Sequence, residues 1–235
     1  MPHHVHPYAH RIGTLRDWKS RWFADNGQYQ QYLKGDILLR EYLLKKLRGM
    51  HVADIEMERN DKTWKIVIKT ARPGLIIGRS GEGAVKLKSE VLSRLLRWKI
   101  PHPKDVKIEI EEVRNPEGNA AIVGLMVAEG LEKRMPFKRV IKQMLEKVMA
   151  NRDVKGARIE ISGRLGGADM SRREHVRAGN IPLQTIRADV DFAKEKAHMT
   201  YGVIGIQVWI YKGEVFAEKP KAAPHVTRRE TTPRQ

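Results

Sequence analysis

The stretch Ala71-Arg72-Pro73-Gly74-Leu75-Ile76-Ile77-Gly78-Arg79-Ser80-Gly81-Glu82-Gly83 decides how the N-terminal half of this chain folds. It contains a G-x-x-G loop, in which Gly78 and Gly81 bracket Arg79 and Ser80. Glycine lets the backbone turn sharply and approach another molecule without a Cβ in the way. Exposed N–H groups at the start of the next helix, together with Arg79, favour a phosphate group. The loop predicts an anion-binding turn; the alternative is a glycine-rich turn that binds nothing.

The elements around this loop decide between those alternatives. A helix is predicted over 36–49, with Asp36 as its N-cap, leucines every four residues and Gly49 just past its end. Strands over 51–59 and 64–69, a helix over 82–98 and a strand over 106–111 follow. This order resembles a KH module, whose G-x-x-G loop clamps about four nucleotides of single-stranded RNA. The predicted RNA-binding residues of the loop are Arg72, Gly78, Arg79, Ser80 and Gly81.

The C-terminal half begins after a turn-rich break at 114–118. An apolar helix over 120–133 and a second helix starting near Pro136 precede strands predicted over 157–162, 183–190 and 203–211. Both halves mix helices with strands, so the fold class is α+β. The predicted domains are 36–113 and 118–213. Residues 1–35 are expected to be an extension ordered by a partner, and 217–235 a disordered basic tail.

The charge of the chain indicates a polyanionic partner. Its 235 residues carry 45 Lys and Arg against 28 Asp and Glu, giving a net charge of +17 and a pI near 10.1. Such an excess raises the free energy of the compact state unless a polyanion neutralises it. No apolar run approaches the ~18 residues that span a bilayer, and the basic residues are spread along the chain. Nucleic acid is therefore favoured over a membrane.

Two basic segments outside the loop are candidate RNA contacts. Lys133, Arg134, Lys138 and Arg139 flank the junction between the two predicted C-terminal helices. They could contact phosphates, or they could form a plain solvated face. The segment 162–177 combines glycines, which allow close approach, with arginines, which grip phosphate in a bidentate way. The alternative is that the segment is only a structural hairpin. If segment 162–177 binds RNA, its candidate contacts are Arg164, Arg172, Arg173 and Arg177.

The sequence contains little that indicates catalysis. No window fits a Walker motif, and the chain has no cysteine for thiolate chemistry, which fits a reducing cytoplasm. His3, His4, His6 and His10 have no evident carboxylate partner, so no metal site and no cofactor are predicted. Asp189 and Asp191 are expected to pair with Arg187 or other cations. The aromatic residues that could stack on bases or pack against a domain are Tyr8, Trp18 and Trp22.

Several separated segments resemble one family across nearly the whole chain. They include Val5-His6-Pro7 with Arg11-Ile12-Gly13, and Thr70-Ala71-Arg72-Pro73-Gly74 leading into the loop. The longest match is Ser162-Gly163-Arg164-Leu165-Gly166-Gly167-Ala168, and Arg187-Ala188-Asp189-Val190-Asp191 and Thr200-Tyr201-Gly202-Val203-Ile204-Gly205 follow in the same order. The chain thus resembles the bacterial-type small-subunit ribosomal protein three family, universal family uS-three.

The resemblance implies a fold, a location and a set of contacts. The N-terminal domain is expected to be a type-II KH domain, followed by a second α+β domain with two helices and a mainly antiparallel sheet. The partners implied are small-subunit rRNA, messenger RNA and neighbouring ribosomal proteins of the small-subunit head, in the cytoplasm. The family's messenger entry residues fall on Lys133, Arg134, Lys138 and Arg139. Further rRNA contacts are expected at His6, Arg11 and Arg187, besides the arginines of 162–177.

Two other functions are open from the residues alone. A free KH regulator would bind particular messages or small RNAs through Gly78–Gly81, and would not be stoichiometric with the small subunit. A nuclease would need metal ligands or an acid–base pair, which the sequence lacks. The primary expectation is a non-enzymatic ribosomal component.

Overall fold

The computed structural model describes residues 5–60, 62–101, 103 and 105–216. His3, His4, Asp61 and the predicted tail at 217–235 lie outside these residues. Within the described part of the chain, no helix has the length and apolar character needed to cross a membrane.

The N-terminal half folds as a sheet covered by helices. Its elements are β1 (Ser20–Arg21), α1 (Asn26–Lys46), β2 (Val52–Arg59), β3 (Thr63–Thr70), α2 (Pro73–Ile77), α3 (Glu82–Arg97) and β4 (Asp105–Glu112). The sheet order is β1-β2-β3-β4, antiparallel between β2 and β3 and parallel between β3 and β4. Leu39, Leu43, Trp64, Val91 and Leu95 pack in one core. The predicted order of elements around the G-x-x-G loop is confirmed.

The start of α1 differs from the sequence prediction. The helix begins at Asn26, ten residues before Asp36, so the prediction of Asp36 as an N-cap is wrong. Asp36 is buried in mid-helix, where it accepts hydrogen bonds from Trp22 Nε1 at 2.7 Å and Arg59 at 3.1 Å. A buried carboxylate needs such partners because burial removes its hydration. In the first ten residues of α1, Tyr29, Tyr32 and Leu33 are the large apolar side chains and none of them is buried, so this stretch lacks the leucine repeat that predicted the rest of the helix.

The C-terminal half places two helices against one face of a sheet. Its elements are α4 (Ala120–Glu132), α5 (Phe137–Ala150), β5 (Gly156–Gly163), β6 (Arg172–Gly179), β7 (Ala188–Met199) and β8 (Gly202–Glu214). The sheet order is β6-β5-β8-β7 and every neighbouring pair is antiparallel. The core contains Val127, Ile141, Ile159, Val208 and Ile210. The expected antiparallel sheet with two helices is confirmed.

The strands of this half differ from the sequence prediction in two places. Strand β7 begins at Ala188, so most of the strand predicted over 183–190 is a loop. Strand β6 was not predicted at all. It reads Arg-Arg-Glu-His-Val-Arg at its start, without the apolar alternation that identifies a half-buried strand. It forms because its backbone pairs along the whole of β5.

The described N-terminal residues pack against the chain itself. Strand β1 extends the first sheet by pairing with β2. Arg11 is fully buried against the loop that precedes β7. The described part of this segment therefore packs on the chain itself, and its ordering by a partner stays a prediction. The domain limits 36–113 and 118–213 stay predictions.

Candidate nucleic-acid interface

The G-x-x-G loop joins α2 to α3 through closely spaced changes of backbone direction. Gly78 has φ +71°, Ser80 has φ +51° and Gly81 has φ +81°. Two of these left-handed positions carry glycine, which adopts them without steric cost. Arg79 and Arg72 are exposed, and neither has a carboxylate within ion-pair distance among the residues described. The loop therefore offers a bare backbone and two free cations to an anion.

Gly83, at the start of α3, brings the two helices together. A Cβ added there would lie 2.5 Å from the carbonyl oxygen of Ile76 and 2.8 Å from that of Ile77. Both distances are shorter than any tolerated contact, and the clashing atoms are backbone. Gly83 belongs to the glycine-rich stretch, but the sequence alone indicated no role for it. Its role is to let α2 approach the start of α3, which sets the shape of the loop.

Replacing Gly83 by alanine is expected to lower the free energy of unfolding by about 1–3 kcal/mol, because the added methyl group overpacks a backbone contact. The measurement is chemical denaturation followed by circular dichroism. Gly74→Ala is the matched control, since a Cβ there meets nothing within 4 Å and φ is not positive. Alanine in place of glycine within a helix should be neutral or slightly stabilising. Equal destabilisation by both substitutions would contradict the role given to Gly83.

The junction between α4 and α5 carries the cations predicted to contact RNA. We call Lys133, Arg134, Lys138 and Arg139 the junction patch; all four are exposed. Helix α4 ends in a Schellman turn, in which Arg134 N–H donates to Leu131 O at 2.8 Å and Met135 N–H to Gly130 O at 3.2 Å. Arg134 occupies the left-handed position of that turn with φ +60°. Glycine is the usual residue there, so an arginine costs about 1 kcal/mol of backbone strain.

The start of α5 has the features of an anion site. No side chain caps it and its first turn contains no acidic residue. The N–H groups of Phe137 and Lys138 consequently lack an acceptor among the described residues. Cations at a helix N-terminus oppose the helix dipole, each by about 0.3–1 kcal/mol when exposed. Lys138 and Arg139 are therefore unfavourable for the isolated helix, and an anion bound between them would reverse that effect.

Only one member of the junction patch has a carboxylate partner among the described residues. Lys133 pairs with Glu129 at 2.7 Å, while Arg134, Lys138 and Arg139 have no ion pair. Exposed pairs of this kind contribute at most about 1 kcal/mol, so a phosphate can displace Glu129. Lys142, one turn beyond Lys138, is exposed and unpaired too, and it extends the same face.

The face of the C-terminal sheet opposite the helices is open and basic. Cross-strand partners lie on the same side of a sheet, and three rows can be followed across it. The rows are Arg173–Ser162–Gly205–Lys196, His175–Glu160–Gln207–Lys194 and Arg177–Arg158–Trp209–Phe192. Cations thus line both edge strands. Since neighbouring strands lie about 4.8 Å apart, the two basic edges are about 14 Å from each other.

This open face keeps a positive charge. Its buried carboxylate, Glu160, is paired with both Arg158 and Arg173, at 2.5 Å and 3.0 Å. Arg177, Lys194 and Lys196 are exposed and have no carboxylate partner among the described residues. Arg173 and Arg177 were predicted from the sequence, but Lys194 and Lys196 were missed. The alternation of these two lysines along one strand was the available signal, but only the register shows which face they share with the arginines.

The other arginines predicted to contact RNA lie outside the three rows of the open face. Arg164 donates to the carbonyl oxygens of Ala168 and Tyr201 and pairs with Asp169, so it braces the glycine turn. Arg187 is exposed but paired with Glu214 at 2.8 Å. Arg172 is exposed, pairs with Glu174 at 3.4 Å and lies 5.5 Å from the ring centroid of Phe137. Asp189 and Asp191, expected to meet cations, bind Arg16 and the N–H of Ala120.

His6 is exposed on the N-terminal segment, edge-on to Phe192 with ring centroids 4.8 Å apart. Partial burial lowers the pKa of His6, and the nearby cations Lys194 and Lys19 lower it further. Because an ordinary histidine already titrates below pH 7, His6 is neutral there. It can stack or form a hydrogen bond with RNA but adds no charge.

Arg11 is the predicted RNA contact that the structure contradicts. Its guanidinium is fully buried and donates to five backbone carbonyls, those of Pro7, Pro182, Leu183, Thr185 and Ala188, at 2.6–3.3 Å. Burial removes it from any ligand, and its donors are already used. Arg11 instead fixes the N-terminal segment to the loop before β7.

Of the aromatic residues that could stack on bases, Trp22 and Tyr8 contact other residues of the chain and Trp18 is exposed. Trp22 donates to Asp36 and packs near Tyr29, while the Tyr8 hydroxyl donates to Asp17 O at 2.8 Å. Trp18 is 63% exposed and is free to stack. Within the described residues, no three His, Cys, Asp or Glu side chains cluster as metal ligands would.

Two family models match this chain, one on each half. A KH domain model matches residues 38–118, and a model described as "Ribosomal protein S3, C-terminal domain" matches 127–210. The first contains the G-x-x-G loop, and the second contains the junction patch and the open face of the C-terminal sheet.

Proteins named "Small ribosomal subunit protein uS3" are similar over nearly full length. The one from Caldicellulosiruptor saccharolyticus is 41% identical over 95% of this chain and 97% of its own. Those from Nitrosococcus oceani and Coxiella burnetii are 43% and 42% identical, over 94% and 98% of this chain and 95% and 99% of their own. These relatives are ribosomal proteins and not enzymes. The chain, with its KH domain and its S3-type C-terminal domain, belongs to the uS3 family of small-subunit ribosomal proteins.

Proposed function

We propose that this protein is a structural component of the small ribosomal subunit in the cytoplasm, where it binds small-subunit rRNA and lines the entry path of messenger RNA. The observation that carries the proposal is the junction patch. Three of its four cations have no carboxylate partner among the described residues, and two of them occupy the uncapped start of α5. Such an arrangement costs stability in the isolated protein and gains it when phosphates bind.

The open face of the C-terminal sheet is the proposed rRNA contact. Its exposed cations on β6 and β7 flank a centre whose single buried carboxylate is already neutralised. Trp209 in that centre is half-buried and lies 5.0 Å from the guanidinium of Arg158, so it is not a free stacking platform. Two basic edges without exposed rings suit the sugar–phosphate backbone of an RNA helix, which proteins contact by shape and charge. Arg172, beside Phe137, is proposed to extend these contacts toward the junction patch.

The G-x-x-G loop is proposed as a further RNA contact. Arg72, Arg79 and the turn of Gly78, Ser80 and Gly81 present cations and uncovered backbone together. Leu75 and Val85, on either side of the loop, are 57% and 70% exposed, which offers apolar surface to bases. The same features favour the second candidate, a free KH regulator, so the loop alone does not decide between the two functions.

At the entry path the proposed mechanism is electrostatic and geometric. Cations of the junction patch hold the phosphates of a single strand, and they bias an already strained duplex toward strand separation. The sequence has no Walker motif, so the work of moving the message is assigned to translocation elsewhere in the ribosome. Neighbouring ribosomal proteins of the small-subunit head are the proposed protein partners.

The test uses the double variant Lys133→Gln with Arg134→Gly as the only copy of the protein in cells. Glycine at position 134 keeps the left-handed turn and removes the strain, so the variant should fold. Translation of a message with a stable hairpin in its coding region is expected to slow several-fold more than that of a hairpin-free message. Paired reporters with equal codon content measure the difference.

A matched variant distinguishes the patch from a general loss of charge. Lys147→Gln with Arg152→Gln removes two exposed, unpaired cations from the other end of α5. It should leave the ratio of the two reporters unchanged. If the junction variant slows both reporters equally, its residues do not act on structured messages and the entry-path proposal is overturned.

A further inference from the structure

A cavity of about 360 Å³ opens beside the junction patch. It lies between the α4–α5 junction, the turn that joins β7 to β8, and the glycine turn at 165–167. Arg134, Met135 and Phe137 line it from the junction, and Thr200 and Tyr201 line it from the opposite turn. Two segments that are far apart in sequence, the basic junction and the glycine–arginine stretch, therefore meet around one cavity.

The lining combines two aromatic rings with a hydroxyl group that has no hydrogen-bond partner among the described residues. Phe137 and Tyr201 are both partly buried, and each packs against the C-terminal core, which fixes its ring. The Tyr201 hydroxyl has no hydrogen-bond partner among the described residues. On the glycine side, a Cβ added at Gly166 would find nothing within 4 Å, so this wall is open.

The charges around the cavity favour a ligand that carries phosphate. Glu132, the carboxylate in the lining, accepts hydrogen bonds from Arg48 and from the N–H of His198, so it is already engaged. Arg134 at the rim has no carboxylate partner among the described residues. Arg172, which pairs with Glu174 at 3.4 Å, lies 5.5 Å from the ring centroid of Phe137. The mouth is thus positive and the interior is aromatic.

We propose that this cavity binds one unstacked nucleobase of the RNA strand whose phosphates the junction patch holds. The inference rests on the proposed function and extends it from phosphates to a base. Base–aromatic stacking accepts any base because every base has a π face, which suits a strand of changing sequence. Holding a base out of the stack next to the entry path would stop the separated strand from re-pairing. An apolar side chain of a neighbouring protein is the competing occupant.

The experiment compares two single strands of about 12 nucleotides, a length within the range that such sites bind. One is oligouridine, and the other is the same sugar–phosphate strand without bases. Tyr201→Leu removes the ring but keeps an apolar side chain in the core. It is expected to weaken binding of oligouridine about tenfold and to leave the abasic strand unchanged. Tyr29→Leu, an exposed tyrosine on α1, is the control and should change neither affinity.

The other possible results decide separately on the base site and on the proposed function. Equal weakening of both strands by Tyr201→Leu, or no weakening of either, overturns the base site. The proposed function survives either result if charge reversal at Lys138 and Arg139 weakens binding of both strands. It fails if that reversal leaves both affinities unchanged.

A second measurement needs no variant, and it applies if Tyr201→Leu does not fold. The wild-type protein is crosslinked to a strand with 4-thiouridine in place of uridine, and the attached peptides are identified. Attachment within 134–137 or 199–204 supports the base site. Attachment confined to 78–81 assigns base contact to the KH loop alone and overturns it.

Discussion

Reversing the charge of Lys138 and Arg139 to glutamate is expected to lower the affinity for single-stranded RNA by about 100-fold or more, while making the free protein more stable. The loss of affinity follows from counterion release, since each phosphate contact on a single strand contributes about 0.7 to the slope of log K against log salt. Removing two contacts should therefore reduce that slope by roughly 1.4. Fluorescence anisotropy at several salt concentrations measures both quantities.

The gain in stability has a separate cause. Carboxylates at the start of α5 complement the helix dipole that the native cations oppose, and the glutamate introduced at position 138 would face Lys142 one turn away. Together these changes should raise the free energy of unfolding by about 1 kcal/mol. Opposite signs for binding and stability exclude damage to the fold as the reason for weak binding.

The control reverses Lys147 and Arg152 to glutamate. This pair lies at the other end of α5 and changes the net charge equally. Carboxylates near a helix C-terminus oppose the dipole, so the control should be slightly less stable, and its RNA affinity should change only a few-fold. If both pairs weaken binding equally, RNA responds to net charge alone and the junction patch has no special role.

Replacing Arg11 by alanine is expected to lower the free energy of unfolding by about 3–5 kcal/mol, the largest effect on stability predicted for this chain. The substitution removes a buried guanidinium and leaves five carbonyl oxygens without their donor. Arg11→Lys should recover little, because an ammonium group has three donors and lacks the planar geometry of guanidinium. Chemical denaturation measures the change, and limited proteolysis tests whether the N-terminal segment detaches.

The neighbouring His10 supplies the control. It is exposed, so His10→Ala should change stability by less than about 0.5 kcal/mol. A loss below about 1 kcal/mol for Arg11→Ala would show that these hydrogen bonds are replaced readily by water, and that Arg11 does not fix the N-terminal segment.

Sequence patterns predicted the elements that have regular apolar repeats or marked ends. The leucines of α1, the alternation in β3 and the glycines of the loop each follow from local backbone geometry and burial. Apolar periodicity did not predict β6, because this edge strand is rich in charged residues and is stabilised by pairing with β5 rather than by burying its own side chains. It failed for Asp36 because a cap and a buried mid-helix carboxylate look alike until Arg59 is placed beside it.

The sequence predicted only part of the candidate site, because local patterns show cations and glycines but not the contacts between distant segments. Cations near glycines or helix ends could be found by inspection, which identified the junction patch and the loop. Arg11 could not be distinguished from a surface arginine, because its five acceptors include four that lie more than 170 residues away in sequence. Lys194, Lys196 and Tyr201 gain their proposed roles only from the register of the sheet and from the turn that closes it.

We propose that this chain holds RNA on the small ribosomal subunit and that the junction patch faces the message. In-cell crosslinking, with the bound RNA sequenced and each attached peptide identified, tests it most directly. We expect reads from the head of small-subunit rRNA, with reads from many messages attached to the peptide spanning 133–139. Reads dominated by a few messages or small RNAs through 78–81, with none at 133–139, would contradict it.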